Sequence, residues 1–456
     1  MTLVIYFSMI ALGWLMVYTV GYNEELSFAE TVFDMGTSIG KQTLWVGISI
    51  VLMMAVIAVD WNFWRTFAYP IYAIAMFSLL AVLVIGLEVN GATSWFKIGP
   101  FTLQPGEFAK FATCLTMAAF LSTYDTNLNK PRYVLIAFGI ILLPMVLIIL
   151  QPDPGSALVF LSFFIVMFRE GLSPSLLLFG MGSATLLILG LVFPLSHIVL
   201  GMIFLITFAM LRSLGVGYRG MIGFLVLAIV SIFGMVKGFK WYVLGVNALG
   251  MFMLGYLMYT KRKFSLALRL GALLVIGTVV AGVASYTFNN VLRSHQKDRI
   301  NVWLQPSKCD PQGALYTMIQ SKMAIGSGGL QGKGFLKGDI TKLNYVPEQS
   351  TDFIFCTIGE EQGFIGSLGI IGLFLLLISR IVVIAERQNS DFSRQYAYSF
   401  AGILFIHFFV NIGMTMGLVP VIGIPLPFIS YGGSCILAFS IMMGVLLKLD
   451  TKRFIG

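Results

Sequence analysis

Between Gly171 and Leu211 the chain carries no Asp, Glu, Lys or Arg. That run is about twice the ~20 apolar residues that cross a bilayer as one helix, and comparable runs recur from one end of the sequence to the other. Only 11% of the residues are charged and 58% are hydrophobic, against roughly 25% charged in soluble domains. A soluble enzyme of two or three domains, which 456 residues would otherwise suggest, is therefore excluded. A disordered chain, which needs low hydrophobicity and high charge, is excluded as well. In hydrocarbon every backbone polar group must be satisfied internally, so the chain reads as an all-α polytopic integral membrane protein.

Fourteen candidate spans follow, at about 2–20, 42–59, 67–87, 106–123, 133–150, 155–168, 174–194, 195–212, 220–237, 240–259, 266–287, 363–386, 396–418 and 428–447. The sixth is short, and only the break from Pro194 to His197 parts the seventh from the eighth. Met1 to Val20 lacks a basic leading segment and a small-residue cleavage site, so it reads as the first span and not as a removed signal. The organisation is then N-terminal helices over 1–169, middle helices over 170–287, one long loop over 288–362 and C-terminal helices over 363–456.

The net charge of +9 does not call for nucleic acid, because basic residues collect in the cytoplasmic loops of membrane proteins. With the N-terminus inside, the inner loops and C-terminus hold fourteen Lys and Arg against four in the short outer loops. Both termini are thus expected to be cytoplasmic and the long loop extracytoplasmic. That loop mixes Trp303, Tyr316, Phe335 and Tyr345 with both signs of charge, and reads as ordered, with short helices on the membrane surface. The four cysteines show no CxxC spacing and the three histidines lie far apart, so no metal cluster is suggested.

Four segments rich in Pro and Gly fall on the outer face: Gly91 to Trp95 continuing to Gln104–Lys110, Gln151 to Gly155, the long loop, and Gly423 to Gly433. Irregular backbone at membrane depth is tolerated only where it is buried or lines a cavity, so these segments point to an outward-facing cavity. Glu107 and Lys110 are three apart on one helix and can pair. As ionisable groups inside a span they are functional candidates; a structural ion pair is an equal alternative. Asp153 is either a site residue or the cap of the sixth helix. The stretch Gly326 to Gly334 lacks the spacing of a phosphate-binding loop for nucleotides. It reads as a flexible turn or as backbone N–H groups facing a lipid pyrophosphate.

Seven strings, in order, resemble the SEDS family of peptidoglycan glycosyltransferases (RodA, FtsW, SpoVE). They are Gln104–Lys110, Gln151-Pro-Asp153, Asp310-Pro-Gln-Gly313, Gln320–Gly329, Pro347–Phe355, Glu360–Gly363 and Pro425–Gly433. Ile325–Gly334 and Gly423–Phe428 are closer to the rod-shape elongation members than to the division members. The family usually has about ten spans, so about four within 170–287 are additional.

The resemblance implies a polymerase that joins lipid II disaccharide units into glycan strands for cell-wall elongation, releasing undecaprenyl diphosphate. It places the enzyme in the bacterial inner (plasma) membrane. It implies Asp310 as the catalytic base; on the residues alone, Asp310-Pro311 also suits a plain turn. Such chemistry asks for a carboxylate to take the acceptor's proton and for cations to hold the diphosphate. Supporting candidates are Glu107, Lys110, Asp153, Arg299, Lys322, Lys333, Glu348 and Asp352. From the family alone come a divalent cation (Mg2+ or Mn2+) with no visible ligand set, and a class B penicillin-binding protein as transpeptidase partner. A lipid II flippase and a non-catalytic scaffold for wall synthesis are the alternatives.

Overall fold

The computed structural model describes residues 1–22, 27–89, 91–99, 101–124, 126–292, 294–309 and 313–452. It is helical almost throughout. Among the described residues twelve helices are long and apolar enough to cross a membrane. The count of fourteen is not reproduced by that measure, for two local reasons. Pro105–Leu121 is a 17-residue helix. The sixth candidate is broken into Pro154–Val159, a 3-10 turn at Phe160–Ser162, and Phe163–Arg169. At 1.5 Å per residue it is short of the ~30 Å apolar core.

One departure from an all-helical chain is a three-stranded antiparallel meander, β1 (Leu87–Val89), β2 (Ala92–Ile98) and β3 (Phe101–Leu103). Its turns fall at Gly91 and Gly99, both at positive φ, a region that glycine enters without steric cost. The punctuation seen in the sequence here is hairpin chemistry.

The chain divides into two compact units, residues 1–173 with 298–456, and residues 174–297. In the first, the helix Asp391–Thr415 packs on Pro105–Leu121, and Gly433–Thr451 packs on Ser38–Ala58. Its core runs from Tyr6 and Met9 through Phe160, Phe400 and Phe439. The second unit is a bundle of the helices Pro174–Val192, Leu195–Ser213, Tyr218–Val236, Lys240–Thr260 and Phe264–Tyr286.

The long loop is shorter than its hydropathy suggests. Helix Ile354–Glu386 starts nine residues before the expected span, and Gly363 breaks it with φ 65° and ψ −161°. The backbone groups released by the break are taken up by the glycine-rich stretch. Lys333 and Gly334 N–H donate to the Glu360 and Glu361 carbonyls, and Phe364 and Ile365 N–H donate to Gly329 and Leu330. A Cβ on Gly332 would sit 2.1 Å from the Glu361 oxygen. These glycines therefore allow two backbones to touch. With the Lys333 and Gly334 N–H groups spent on the helix, the pyrophosphate-cradle reading of this stretch is corrected.

Candidate active site

Asp153 caps the helix Pro154–Val159. Its Oδ1 accepts from Ser156 N–H at 3.0 Å and its Oδ2 from the Ser156 hydroxyl at 2.7 Å. Capping and site roles are not exclusive, because Oδ2 also accepts from Gln104 Nε2 at 3.0 Å. Gln104 N–H in turn donates to Ser434 Oγ at 2.9 Å, so the first and second punctuated segments meet at this carboxylate and the start of the helix Gly433–Thr451 joins them through Gln104.

The third segment is tied in through backbone. Tyr431 N–H donates to Ser350 O at 2.8 Å, and the Ser430 hydroxyl donates to Thr351 O. Asn411, fully buried, donates from Nδ2 to both Asp352 O (2.8 Å) and Ile424 O (2.7 Å). One amide thereby pins the two loops together.

Between these segments lies a cavity of about 310 Å³. Ser94, Gln104, Asp153, Arg299, Asp352 and Tyr431 are on its wall, as is Glu348. Burial pushes the Asp352 carboxyl up to about 7; Glu348 and Asp153 add to the shift and Arg299 opposes it. A carboxyl poised near neutrality beside other carboxylates and one guanidinium can exchange protons with a bound substrate and hold its charge.

Beneath the cavity, inside the helix bundle, Lys110 Nζ donates to Glu107 Oε1 at 2.7 Å and meets His407 Nε2 at 2.9 Å. Lys110 is 0% exposed and Glu107 2%. His407 Nδ1 lies 3.0 Å from Pro425 O. A carbonyl only accepts, so Nδ1 carries the proton and Nε2 accepts from Lys110. The charged group thus ends on the carbonyl of a cavity-lining proline. Glu107 Oε2 is buried, and the Cys435 thiol on the cavity wall lies within hydrogen-bonding reach of the Glu107 carboxylate.

Of the residues singled out in the sequence, Asp153, Arg299, Glu348 and Asp352 come together at the cavity, and Glu107 pairs with Lys110 as the spacing suggested. Lys322 and Lys333 do not join them. Lys322 is exposed on the helix Ala314–Ser327. Lys333 binds Glu360 at 2.8 Å and Asp339 at 3.0 Å, and Glu360 raises its pKa. Glu360 is buried, and it also accepts from Ile340 and Thr341 N–H, bracing the turn Asp339–Lys342.

Asp310 lies outside the described residues. No set of three or more His, Cys, Asp or Glu among the described residues is placed to hold a metal ion, so the divalent cation finds no ligand set there. His407 and Asn411 were missed. The signal was present, since a histidine and an asparagine four residues apart inside an apolar run share one helix face and are costly unless partnered.

A family model described as "Cell cycle protein", covering FtsW, RodA and SpoVE, matches residues 1–213 and 198–454. The peptidoglycan glycosyltransferase RodA of Treponema pallidum is 32% identical over 98% of this chain and 96% of its own length. The peptidoglycan glycosyltransferase MrdB of Escherichia coli K12 is 30% identical over 90% of this chain and 84% of its own. Among solved structures, one chain of a complex described under "structural coordination of polymerization and crosslinking by a peptidoglycan synthase complex" superposes with a TM-score of 0.66 at 23% identity, covering 100% of this chain and 98% of that one. The rod shape determining protein RodA of Thermus thermophilus gives 0.56 at 22%, covering 100% and 97%.

Proposed function

The chain belongs to the FtsW, RodA and SpoVE family, and we propose that it is a peptidoglycan glycosyltransferase that polymerises lipid II for cell-wall elongation. The observation that carries the reading is the cavity itself. Four separate segments converge on one polar hollow holding Asp153, Glu348, Asp352 and Arg299, on a frame of apolar helices suited to polyprenyl tails. That the Treponema and Escherichia relatives bear the name of this activity supports it.

In this reading the acceptor sugar's hydroxyl attacks the anomeric carbon of the donor. Its proton passes to a carboxylate, for which the family resemblance nominates Asp310. Arg299 faces the negative charge of the departing lipid diphosphate, which strengthens as the bond breaks. A single displacement inverts the anomeric centre. Glu107, Lys110 and His407 hold Pro425 and so keep the cavity's shape. A single-span transpeptidase of the class B penicillin-binding type is the partner this reading expects, and the synthase complex matched in fold is consistent with one.

The multi-pass chain then sits in the bacterial plasma membrane with both termini cytoplasmic. With Cys309 replaced, a cysteine at Leu343 should react with an impermeant thiol reagent in spheroplasts, and one at Thr451 should not. The activity is tested by incubating the purified chain with lipid II in detergent, where there is no bilayer to cross. Glycan polymer is expected; a flippase or a scaffold would yield none.

A further inference from the structure

A second cavity of about 200 Å³ adjoins the first, sharing Trp95, Thr351, Tyr431 and Gly432 as a common wall. Its remaining lining is Lys41, Trp45, Phe101, Thr102 and Gly433. None of these is charged except Lys41, and its ammonium has no ion-pair partner among the described residues.

The aromatic surface is fixed. The Trp45 ring lies against Gly433, where a Cβ would come within 2.3 Å of it, and meets Phe101 edge to face at 5.1 Å between centroids. Meanwhile the indole N–H groups of Trp45 and Trp95 and the Tyr431 hydroxyl make no hydrogen bond among the described residues. The first cavity is thus polar and acidic, and the second offers flat apolar faces with unused donors at their edges.

That combination suits a pyranose ring, whose C–H faces stack on aromatic rings while its hydroxyls take the donors. The volume is below the ~300 Å³ at which drug-sized sites begin, so it suits a single ring. Trp and Tyr also gather at membrane interfaces as a belt, but belt residues face lipid, whereas these line a hollow that shares a wall with the reaction cavity.

We propose that this second cavity is a sugar subsite, in which one ring of the glycan substrate stacks against Trp45, Trp95 and Tyr431 while Lys41 meets the acidic peptide arm carried by the strand. The proposal rests on the polymerase reading. The diphosphate leaves from the reacting carbon in the first cavity, so the charge that reaches Lys41 belongs to the arm of a neighbouring sugar.

Steady-state polymerisation by the full-length chain in detergent separates the possibilities. Thr102→Trp fills the cavity without removing a packed group, and Lys41→Gln removes only the charge. Each should raise KM for lipid II by roughly five- to tenfold, the scale of one aromatic or ionic contact, with kcat within about twofold. Lys41→Arg should restore KM. Lipid II lacking the peptide should raise the wild-type KM and leave that of Lys41→Gln little changed, whereas a peptide-independent loss would assign Lys41 to the diphosphate and overturn its role here. An active wild type whose KM is unmoved by Thr102→Trp, in a variant of unaltered melting temperature, overturns the subsite. An inactive wild type overturns the polymerase reading, and the subsite with it.

Discussion

In the helix Asp391–Thr415, 78% of the most apolar stretch is buried by the rest of the protein, and in Gly433–Thr451 72%. In Pro174–Val192 the share is 6%, and in both Tyr218–Val236 and Lys240–Thr260 it is 11%. Mean hydropathy hardly separates the two groups, at 1.6 for both C-terminal helices and 1.4 to 2.1 for the three middle ones. What separates them is the polar content at the centre. The C-terminal helices place His407 against Lys110 of another helix, and Asn411 and Ser434 against the backbone of the segments that frame the cavity. The middle bundle has Asn247 donating to Ser231 at 2.8 Å, while Phe252, Tyr256, Leu249 and Val246 are exposed. An apolar helix wrapped by protein can carry chemistry, because its polar groups find partners. A helix wrapped by lipid carries little.

The contrast can be broken by substitution, starting with the largest effect. Asp310→Asn keeps the size and turn chemistry of the residue but removes the base, so polymerisation of lipid II by the purified variant should fall on the order of 10²–10⁴-fold at unchanged expression. Near-normal activity would remove Asp310 from the mechanism and leave Glu348 and Asp352 as the next carboxylates.

Lys110→Ala leaves Glu107 buried and unpaired and His407 without its donor. One-sided removal of a buried partner costs about 3–5 kcal/mol, so the melting temperature in detergent should drop sharply and activity with it. Exchanging the charges at both positions should recover more than either reversal alone. Unchanged melting and activity would mean that the pair does not hold the cavity wall.

Asp352→Asn tests the poised carboxyl. The folded protein holds this proton up to about pH 7, far above the ordinary carboxyl value of 3.8. Its contribution to stability is therefore complete below about pH 4 and is lost as pH rises through 7. The Asn variant lacks that loss. Relative to wild type its melting temperature should rise between pH 5 and 8, by the equivalent of at most about 3 kcal/mol, while polymerisation drops roughly 10- to 100-fold, the worth of one charged hydrogen bond. Parallel melting curves at both pH values would show that Asp352 is not held protonated. At the small end, Phe252→Leu on the exposed face of Lys240–Thr260 should change neither melting nor activity measurably.

Much of this was legible in the sequence. Charge-free runs gave the membrane class, and Pro and Gly at Gly91, Pro105, Pro154 and Pro425 marked the segments that meet at the cavity. The spacing of Glu107 and Lys110 gave their pairing. What stayed hidden depends on tertiary context. Hydropathy cannot see that Gly363 interrupts a helix beginning at Ile354, since the break is satisfied by residues thirty positions upstream. Nor can it assign Lys333, whose partners Asp339 and Glu360 are fixed by that same packing. The strands escaped because a three-residue strand has too little period to read.

If the sugars are joined in the first unit's cavity, photocrosslinking should find them there. A photoreactive amino acid at Val89, on the cavity wall, and another at Tyr256, on the exposed face of the middle bundle, would each be exposed to lipid II labelled in its disaccharide. Sugar label on the Val89 variant, displaced by excess unlabelled lipid II, and none on the Tyr256 variant is the expected result; label at Tyr256 with none at Val89 would mean that the sugars are joined elsewhere.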